Sequence, residues 1–168
     1  VFLHQALHGG ELLVEKSVPI GHFTGEEGAT GSSDVILLGD TVLDVMDLKL
    51  GRHKVYAYEV ITPTHKDVVT GEVVPEVVRP NLQMACYALG ALEEYGLLGD
   101  FQTVRMTILQ PFVGHISELS CTVEELLEVR DWLSKQAREC DTNPTYRPSA
   151  SACHYCRASG NCSAQTQA

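Results

Sequence analysis

The first half of the chain carries short apolar runs typical of strands, separated by breaks that contain glycine. Residues 33–38 and 41–50 are two such runs, and the dipeptide Gly39-Asp40 between them predicts a two-residue hairpin turn. Residues 51–80 show no sustained period, which predicts a long excursion from the core. The remaining elements predicted for this half are a helix end over 1–8, a strand over 11–20 and a loop over 21–30.

The second half of the chain predicts two helices with a pair of strands between them. One helix is predicted over 81–96, with Asn81 as its N-cap and Gly96 at its end. The other is predicted over 123–139, and it begins with a capping box formed by Thr122 and Glu125. The strands between them are predicted over 103–110 and 115–121. This order predicts an α/β fold with a mixed central β-sheet flanked by helices.

The hairpin places three charged side chains on one face of the predicted sheet. With the turn as predicted, Asp34 pairs with Val45, and paired side chains share a face with a period of two. Asp34, Asp47 and Lys49 therefore lie on the same face, with the two aspartates as diagonal neighbours whose backbones are roughly 7–8 Å apart. Asp44 falls on the opposite face. A slip of one residue in the register would reverse every face.

Two carboxylates and one ammonium group on an apolar strand pair need an explanation, because unpaired charge is costly there. One interpretation is a structural salt bridge between Lys49 and one of the aspartates at the sheet edge. The other interpretation uses all three groups. Here Asp34 and Asp47 hold a hard divalent cation such as Mg²⁺ or Mn²⁺, and Lys49 acts on an attacking water or on a phosphate.

The cysteines divide into a scattered group and a cluster. Cys153, Cys156 and Cys162 lie within ten residues near the end of the chain, and this spacing predicts a metal knuckle that binds zinc or an iron–sulfur cluster. His154 is a possible fourth ligand for zinc. A cluster of this kind favours a reducing compartment over a disulfide scaffold. The scattered cysteines are expected to pack as small hydrophobic side chains and not as ligands: Cys86, Cys121 and Cys140.

Four motifs follow one another along the chain: G-x-x-D at 31–34, D-x-K at 47–49, Q-x-x-x-Y at 83–87 and C-x2-C-x5-C at 153–162. In this order they resemble the PD-(D/E)xK nuclease superfamily, and in particular the RecB-type branch with its phage-associated members. The resemblance covers most of the chain, roughly residues 11–163. It implies a restriction-endonuclease-like core that hydrolyses phosphodiester bonds of DNA with Mg²⁺ or Mn²⁺.

The resemblance also implies a role for each motif residue. Lys49 would be the catalytic lysine, and Gln83 and Tyr87, one helical turn apart, would approach the active site and the DNA backbone. In the alternative interpretation these two are an ordinary polar flank and a packed tyrosine. The implied metal ligands are Asp34, Asp47 and the carbonyl of Leu48.

Nucleases of this type usually have one more histidine or glutamate before the G-x-x-D strand. Glu15 in the first predicted strand is our choice for this catalytic position, and His4 and His8 are alternatives. Glu15 is otherwise a strand residue that faces water. Because the sequence begins with Val1, we expect part of the N-terminal architecture to precede it. The resemblance places the fourth cysteine of a [4Fe-4S] cluster in that region, with zinc as the alternative cofactor of the knuckle.

The charge balance limits how such a protein could bind DNA. It has 12 lysine and arginine residues against 22 aspartate and glutamate residues, a formal net charge of −10, which argues against a polybasic nucleic-acid binder. Few cations lie near the predicted site, so we expect weak intrinsic affinity for DNA, assisted by metal, a partner or a multimer. They are Lys49, Arg52, Lys54 and Lys66.

Together these features predict a nuclease-like core over 1–140 and a tail with the cysteine motif over 141–168. The expected function is that of a divalent-metal-dependent deoxyribonuclease, an exonuclease of phage or bacterial recombination or repair. DNA and a helicase or recombination protein are the expected partners, in the cytoplasm, with no transmembrane helix. The alternatives are a catalytically silent DNA- or partner-binding module of the same fold, and a zinc-knuckle interaction protein whose hairpin charges are structural.

Overall fold

The computed structural model describes most of the chain. The predicted helix end over 1–8, with His4 and His8, lies outside the described residues. In the described part of the chain, no helix is long and apolar enough to cross a membrane. The described residues are 10–62, 65–66, 73–74, 76–146 and 148–166.

The described strands form one large sheet and two small ones. In chain order they are β1 (Glu11–Pro19), β2 (Thr30–Leu38), β3 (Val42–Leu48), β4 (Tyr58–Thr62), β5 (His65–Lys66), β6 (Val73–Val74), β7 (Val77–Pro80), β8 (Thr103–Gln110) and β9 (His115–Thr122). The large sheet has the order β1-β2-β3-β8-β9. It is mixed, because β3 and β8 run parallel and the other neighbouring strands run antiparallel. The small sheets pair β4 with β7 and β5 with β6.

The described helices are α1 (Gly21–Thr24), α2 (Leu82–Tyr95), α3 (Val123–Thr142), α4 (Ala150–His154) and α5 (Ser163–Thr166). Helix α2 packs against four strands of the large sheet, β1, β2, β3 and β8, and also contacts α3. The prediction of an α/β fold with a mixed central sheet flanked by helices is therefore confirmed. The capping box is also confirmed, since Thr122 and Glu125 exchange side-chain and backbone hydrogen bonds at the start of α3.

The core lies between α2 and the large sheet. From α2 it takes Met84, Ala85, Ala88 and Leu89, all of them buried. Every second residue along the central strands points toward this layer, as the period of two requires. The other fully buried members are Val18, Phe23, Ile36, Leu43, Val45, Ala57, Ala91, Val104, Met106, Ile108 and Leu126.

The predicted hairpin turn was wrong by a register shift of two residues. Leu38 lies opposite Leu43, and the N–H of Gly39 donates to the carbonyl of Val42 at 3.0 Å, so the turn consists of Asp40 and Thr41. The carbonyl of Thr41 accepts hydrogen bonds from the residues that lead into β8, which helps to hold the turn in this position. An even shift leaves every side chain on its predicted face.

Three further predicted elements need correction. The predicted loop over 21–30 contains α1, whose Phe23 is buried in the core. The predicted excursion over 51–80 contains the short strands β4 to β7. Helix α3, predicted over 123–139, continues to Thr142.

Helix α2 lies very close to β1 because Gly90 has no side chain. A Cβ atom at Gly90 would lie 2.5 Å from the carbonyl oxygen of Pro19 and 2.8 Å from a methyl group of Val18. Backbone atoms cannot move away from such a contact as a flexible side chain can. The glycine therefore sets the distance between the helix and the sheet.

We expect Gly90→Ala to destabilise the protein by about 1–3 kcal/mol through overpacking. Helix propensity alone would favour alanine by about 1 kcal/mol, so the two effects have opposite signs. Chemical denaturation measures the difference. Gly96→Ala at the end of the same helix is the control, because its Cβ would meet only an ordinary contact of 3.7 Å with Leu92. Equal stability of the two variants would show that the close approach is not a constraint.

Candidate active site

Asp34 and Asp47 lie at the end of the hairpin remote from its turn. Val35 is opposite Met46, and the next position in this register sets Asp34 opposite Asp47. The paired part of the hairpin ends at Val35 and Met46, so the two aspartates are opposite each other by register alone, whereas the predicted turn would have made them diagonal. Asp34 Oδ2 accepts a hydrogen bond of 2.6 Å from the backbone N–H of Leu48, which ties its carboxylate to the D-x-K segment.

The carboxylate of Asp47 is buried, and its only close cation is Lys49 among the described residues. Lys49 Nζ lies 2.9 Å from Asp47 Oδ2, and the two side chains are 28% and 6% exposed. This contact lacks hydrogen-bond alignment, so Oδ2 accepts no hydrogen bond from the described part of the chain. Buried oxygens are normally satisfied by a donor, and one that is not is a candidate ligand for a cation.

A relay of two hydrogen bonds connects Lys49 to Gln83 and Tyr87 on α2. Lys49 Nζ donates to Gln83 Oε1 at 2.8 Å, and Gln83 Nε2 donates to the hydroxyl oxygen of Tyr87, also at 2.8 Å. Lysine has only donors, so the amide oxygen of Gln83 must face it and the amide NH₂ must face the tyrosine. The hydroxyl proton of Tyr87 then points away from Gln83.

The N-cap of α2 fixes the position of Gln83. Asn81 Oδ1 accepts from the backbone N–H groups of Gln83 and Met84, as expected for an N-cap, and the N–H of Asn81 donates to the carbonyl of Ala57. The first turn of the helix is thereby attached to the chain just before β4. Gln83 itself is exposed, which leaves its contact with Lys49 on the surface of the protein.

Tyr87 packs directly on Gly31, the glycine of the G-x-x-D motif. A Cβ atom at Gly31 would lie 2.7 Å from Cε1 of the tyrosine ring. The ring therefore needs a glycine at this point of β2. Three of the four sequence motifs thus form one connected structure, from Gly31 through Tyr87 and Gln83 to Lys49 and Asp47.

Comparison with known proteins places this chain in a family. The family model described as "Protein of unknown function (DUF2800)" matches residues 3–168. The chain belongs to the DUF2800 family. It is also similar to a solved structure entitled "Crystal structure of SSO0001", with 13% sequence identity and a TM-score of 0.37. That similarity covers 98% of this chain and 65% of the other, so the chain spans about two thirds of the length of that protein.

Glu15 does not join the connected residues of this DUF2800 member. By the register of β1 with β2 it lies across from Asp34, but it is exposed and adopts a left-handed φ of 51°. Val14 is exposed and Val18 buried, although a regular strand would put them on one face, so β1 turns over at this point. The catalytic role predicted for Glu15 stays a prediction.

The cysteine cluster is not assembled into a metal centre. Cys153 and Cys162 are half-buried and Cys156 is exposed. Across the described ranges, no three His, Cys, Asp or Glu side chains are grouped so that they could hold a metal ion, and this applies also to His154 beside Cys153. The predicted zinc or [4Fe-4S] centre therefore stays a prediction. The same holds for the predicted Mg²⁺ or Mn²⁺ site formed by Asp34, Asp47 and the carbonyl of Leu48.

The scattered cysteines differ in their surroundings. Burial raises the pKa of the Cys86 thiol, and burial together with the Glu125 carboxylate raises the pKa of Cys121 to about 11. Both are thus held as neutral thiols, which fits packed hydrophobic side chains. Cys140 is exposed, and the expectation that it packs was wrong, because it lies in the last turns of α3, far along the chain from its buried Leu126.

Asp44 is a charged residue whose environment the sequence did not indicate. It lies on the face opposite Asp47, is buried, and forms an ion pair with two hydrogen bonds to Arg105 of β8. The bond to Asp44 raises the pKa of Arg105. The pair links β3 to its parallel neighbour, and 61 residues separate its members along the chain. No local pattern could have revealed it.

We expect Gly31→Ala to destabilise the protein by about 1–3 kcal/mol, because the new methyl group meets the ring of Tyr87. In a Tyr87→Ala background, where the ring is absent, the same substitution should cost much less. In a Tyr87→Phe background, where the ring remains, the full cost should return. Chemical denaturation of the two double-mutant cycles gives these differences.

Gly51→Ala is the control for this cycle, since nothing lies within 4 Å of its Cβ position. It should be nearly neutral in all three backgrounds. A cost of Gly31→Ala that does not change when the ring is removed would show that the contact with Tyr87 is not its cause.

Proposed function

We propose that this DUF2800 protein is a divalent-cation-dependent deoxyribonuclease that hydrolyses phosphodiester bonds. The single observation that carries the proposal is that the Lys49 side chain joins two segments, the D-x-K segment that carries Asp47 and helix α2 that carries Gln83. Asp47 supplies a buried carboxylate and Gln83 the amide that receives the lysine. A purely structural salt bridge would not need a second carboxylate opposite the first, nor a relay to a helix.

The residues present suit a hard cation such as Mg²⁺ or Mn²⁺. Asp47 Oδ2 is buried and accepts no hydrogen bond from the described residues, and Asp34 lies across from it in the register. Carboxylate and carbonyl oxygens are the ligands that these ions prefer. We propose Asp34, Asp47 and the carbonyl of Leu48 as the protein ligands. A cation bound there would polarise the phosphate and acidify a water molecule.

Lys49 acts on the reacting groups and not on the cation. One of its three N–H donors is used by Gln83, and the ammonium group remains partly exposed, so it can donate to a phosphate oxygen or to the attacking water. Its positive charge would stabilise the negative charge that accumulates on the phosphate in the transition state. Because the contacts with Gln83 and Asp47 fix the side chain of Lys49, it needs little reorganisation when the substrate binds.

Gln83 and Tyr87 position this lysine and offer contacts to the substrate. Gln83 is exposed, and the hydroxyl proton of Tyr87 points away from it. That proton is thus available for an acceptor such as a phosphate oxygen of the DNA backbone. Both residues act through geometry, Gln83 by its hydrogen bond from Lys49 and Tyr87 by its hydrogen bond from Gln83.

The wider assignment follows from the resemblance of the motifs. We propose an exonuclease of phage or bacterial recombination or repair, which acts in the cytoplasm together with a helicase or recombination protein. The C-terminal cysteines do not fit a metal centre as they are arranged, so no step of the mechanism involves them. A [4Fe-4S] or zinc centre remains a proposal for the tail over 141–168.

Asp47→Asn tests the cation site. We expect Mn²⁺ affinity to fall by at least about tenfold, which corresponds to about 1.4 kcal/mol, and cleavage of linear DNA to fall with it. Isothermal titration and a nuclease assay on linear and circular DNA measure the two effects. Asp40→Asn in the exposed turn of the same hairpin is the matched control and should change neither. Unaltered Mn²⁺ binding in both Asp47→Asn and Asp34→Asn would exclude the two-carboxylate site.

Lys49→Met separates catalysis from structure. It should abolish cleavage and retain Mn²⁺ binding, because the lysine is not a ligand. Without metal it should lower the free energy of unfolding by about 1–2 kcal/mol, since the buried Asp47 carboxylate loses the Lys49 ammonium group. Added Mn²⁺ should recover this stability. Thermal melts with and without Mn²⁺ measure it. Cleavage near the wild-type rate would remove Lys49 from the mechanism, and DNA binding without cleavage by the wild type would favour the silent module.

A further inference from the structure

The segment that follows Lys49 has no helix or strand, yet the buried side chain of Gln110 holds its backbone in place. Gln110, at the end of β8, is 1% exposed. Its Oε1 accepts from the N–H of Val55 at 2.7 Å, and its Nε2 donates to the carbonyls of His53 and Gly51 at 2.9 and 3.4 Å. Both ends of the amide are thus used to hold the backbone of residues 51–55.

Two side chains of β9 extend this support. Ser117 Oγ accepts from the N–H of Ala57 at 3.0 Å, and His115 Nε2 lies 3.2 Å from the carbonyl of Val55. Buried polar groups that satisfy loop backbone in this way make an irregular segment rigid. Residues 51–57 are therefore a supported loop, which we call the basic loop.

The basic loop presents positive charge in a protein that is otherwise acidic. Arg52, His53 and Lys54 are all exposed. Residues 48–58 contain no aspartate or glutamate, although the whole chain has 22 of them. An exposed group of cations on a rigid support is suited to bind an anion of fixed geometry.

The basic loop and the candidate active site share one support. The backbone N–H of Lys49 donates to the carbonyl of Leu109 at 2.9 Å, and Gln110 is the next residue of β8. The end of this strand therefore positions the lysine through its backbone and the basic loop through a side chain. Because the basic loop follows Lys49 closely in the chain, a long substrate bound at Lys49 would also lie near the loop.

We infer that the basic loop is a second phosphate-binding element, in which Arg52 and Lys54 bind DNA backbone phosphates beside the one that is cleaved. Gln110 is its positioning residue. This inference rests on the proposed function, because it takes DNA as the substrate. It also explains how a protein with a net charge of −10 can bind a polyanion.

The salt dependence of DNA binding tests the inference without any cleavage. Affinities of wild type and the double variant Arg52→Gln/Lys54→Gln are measured in EDTA by fluorescence anisotropy, with a labelled 20-nucleotide single strand and its duplex. For two lost phosphate contacts, the slope of log K against log salt should become shallower by about 1.4 for the single strand and about 1.8 for the duplex.

The control is Lys135→Gln/Arg138→Gln, which removes one lysine and one arginine from exposed positions on α3 and changes the net charge equally. Its slope should match that of the wild type. Equal slopes for all three proteins, or no binding of DNA by the wild type at low salt, would overturn the inference. A slope change in a protein that cleaves no DNA would support the loop and refute the nuclease.

Gln110→Met tests the support, because it keeps the volume and removes the hydrogen bonds of this side chain to Gly51, His53 and Val55. We expect weaker DNA binding with no change in charge, and faster tryptic cleavage after Arg52 and Lys54. Wild-type values of both would exclude Gln110 as a positioning residue. If this variant does not fold, as judged by circular dichroism, the Arg52→Gln/Lys54→Gln comparison decides alone.

Discussion

The close approach of α2 to the first two strands is the constraint on which the candidate site depends. Gly31 and Gly90 leave no side chain between the helix and the sheet at two points, one against the Tyr87 ring and one against Pro19. A helix held at the usual distance would carry Gln83 away from Lys49. The geometry of the polar groups is thus set by the absence of two β-carbons, and protein interiors transmit such small displacements because they are close-packed.

The buried carboxylate of Asp47 places a second, electrostatic constraint on the candidate site. A carboxylate in the protein interior is costly unless it is both paired and hydrogen-bonded. Asp47 has its ion pair with Lys49, but its Oδ2 accepts no hydrogen bond from the described residues. Asp44 on the other face shows the fully satisfied arrangement, with two hydrogen bonds from Arg105. The contrast between two aspartates of one strand singles out Asp47 as the buried carboxylate with an unsatisfied oxygen, which is why it is the one proposed to bind a cation.

Much of this architecture could be predicted because it is encoded locally. The period of two placed Asp34, Asp47 and Lys49 on one face, and this survived a misplaced turn since a shift of two residues conserves faces. The support of the basic loop could not be predicted, because Gln110 is 55 to 59 residues from its partners. The left-handed backbone of Glu15 could not be predicted either, since glutamate rarely adopts it.

The parallel pairing of β3 with β8 has a consequence for the order in which the protein is made. The β2–β3 hairpin closes through local contacts, whereas β8 follows β3 only after residues 49–102. Non-local pairing of this kind forms late, because the entropy of closing a long loop is paid first. A chain that emerges from the ribosome N-terminus first therefore brings its two carboxylates together early. Lys49 can form its hydrogen bonds with Gln83 and Leu109 only after those later residues are made. In a partly synthesised chain, Asp34 and Asp47 are therefore close together before Lys49 is fixed in position.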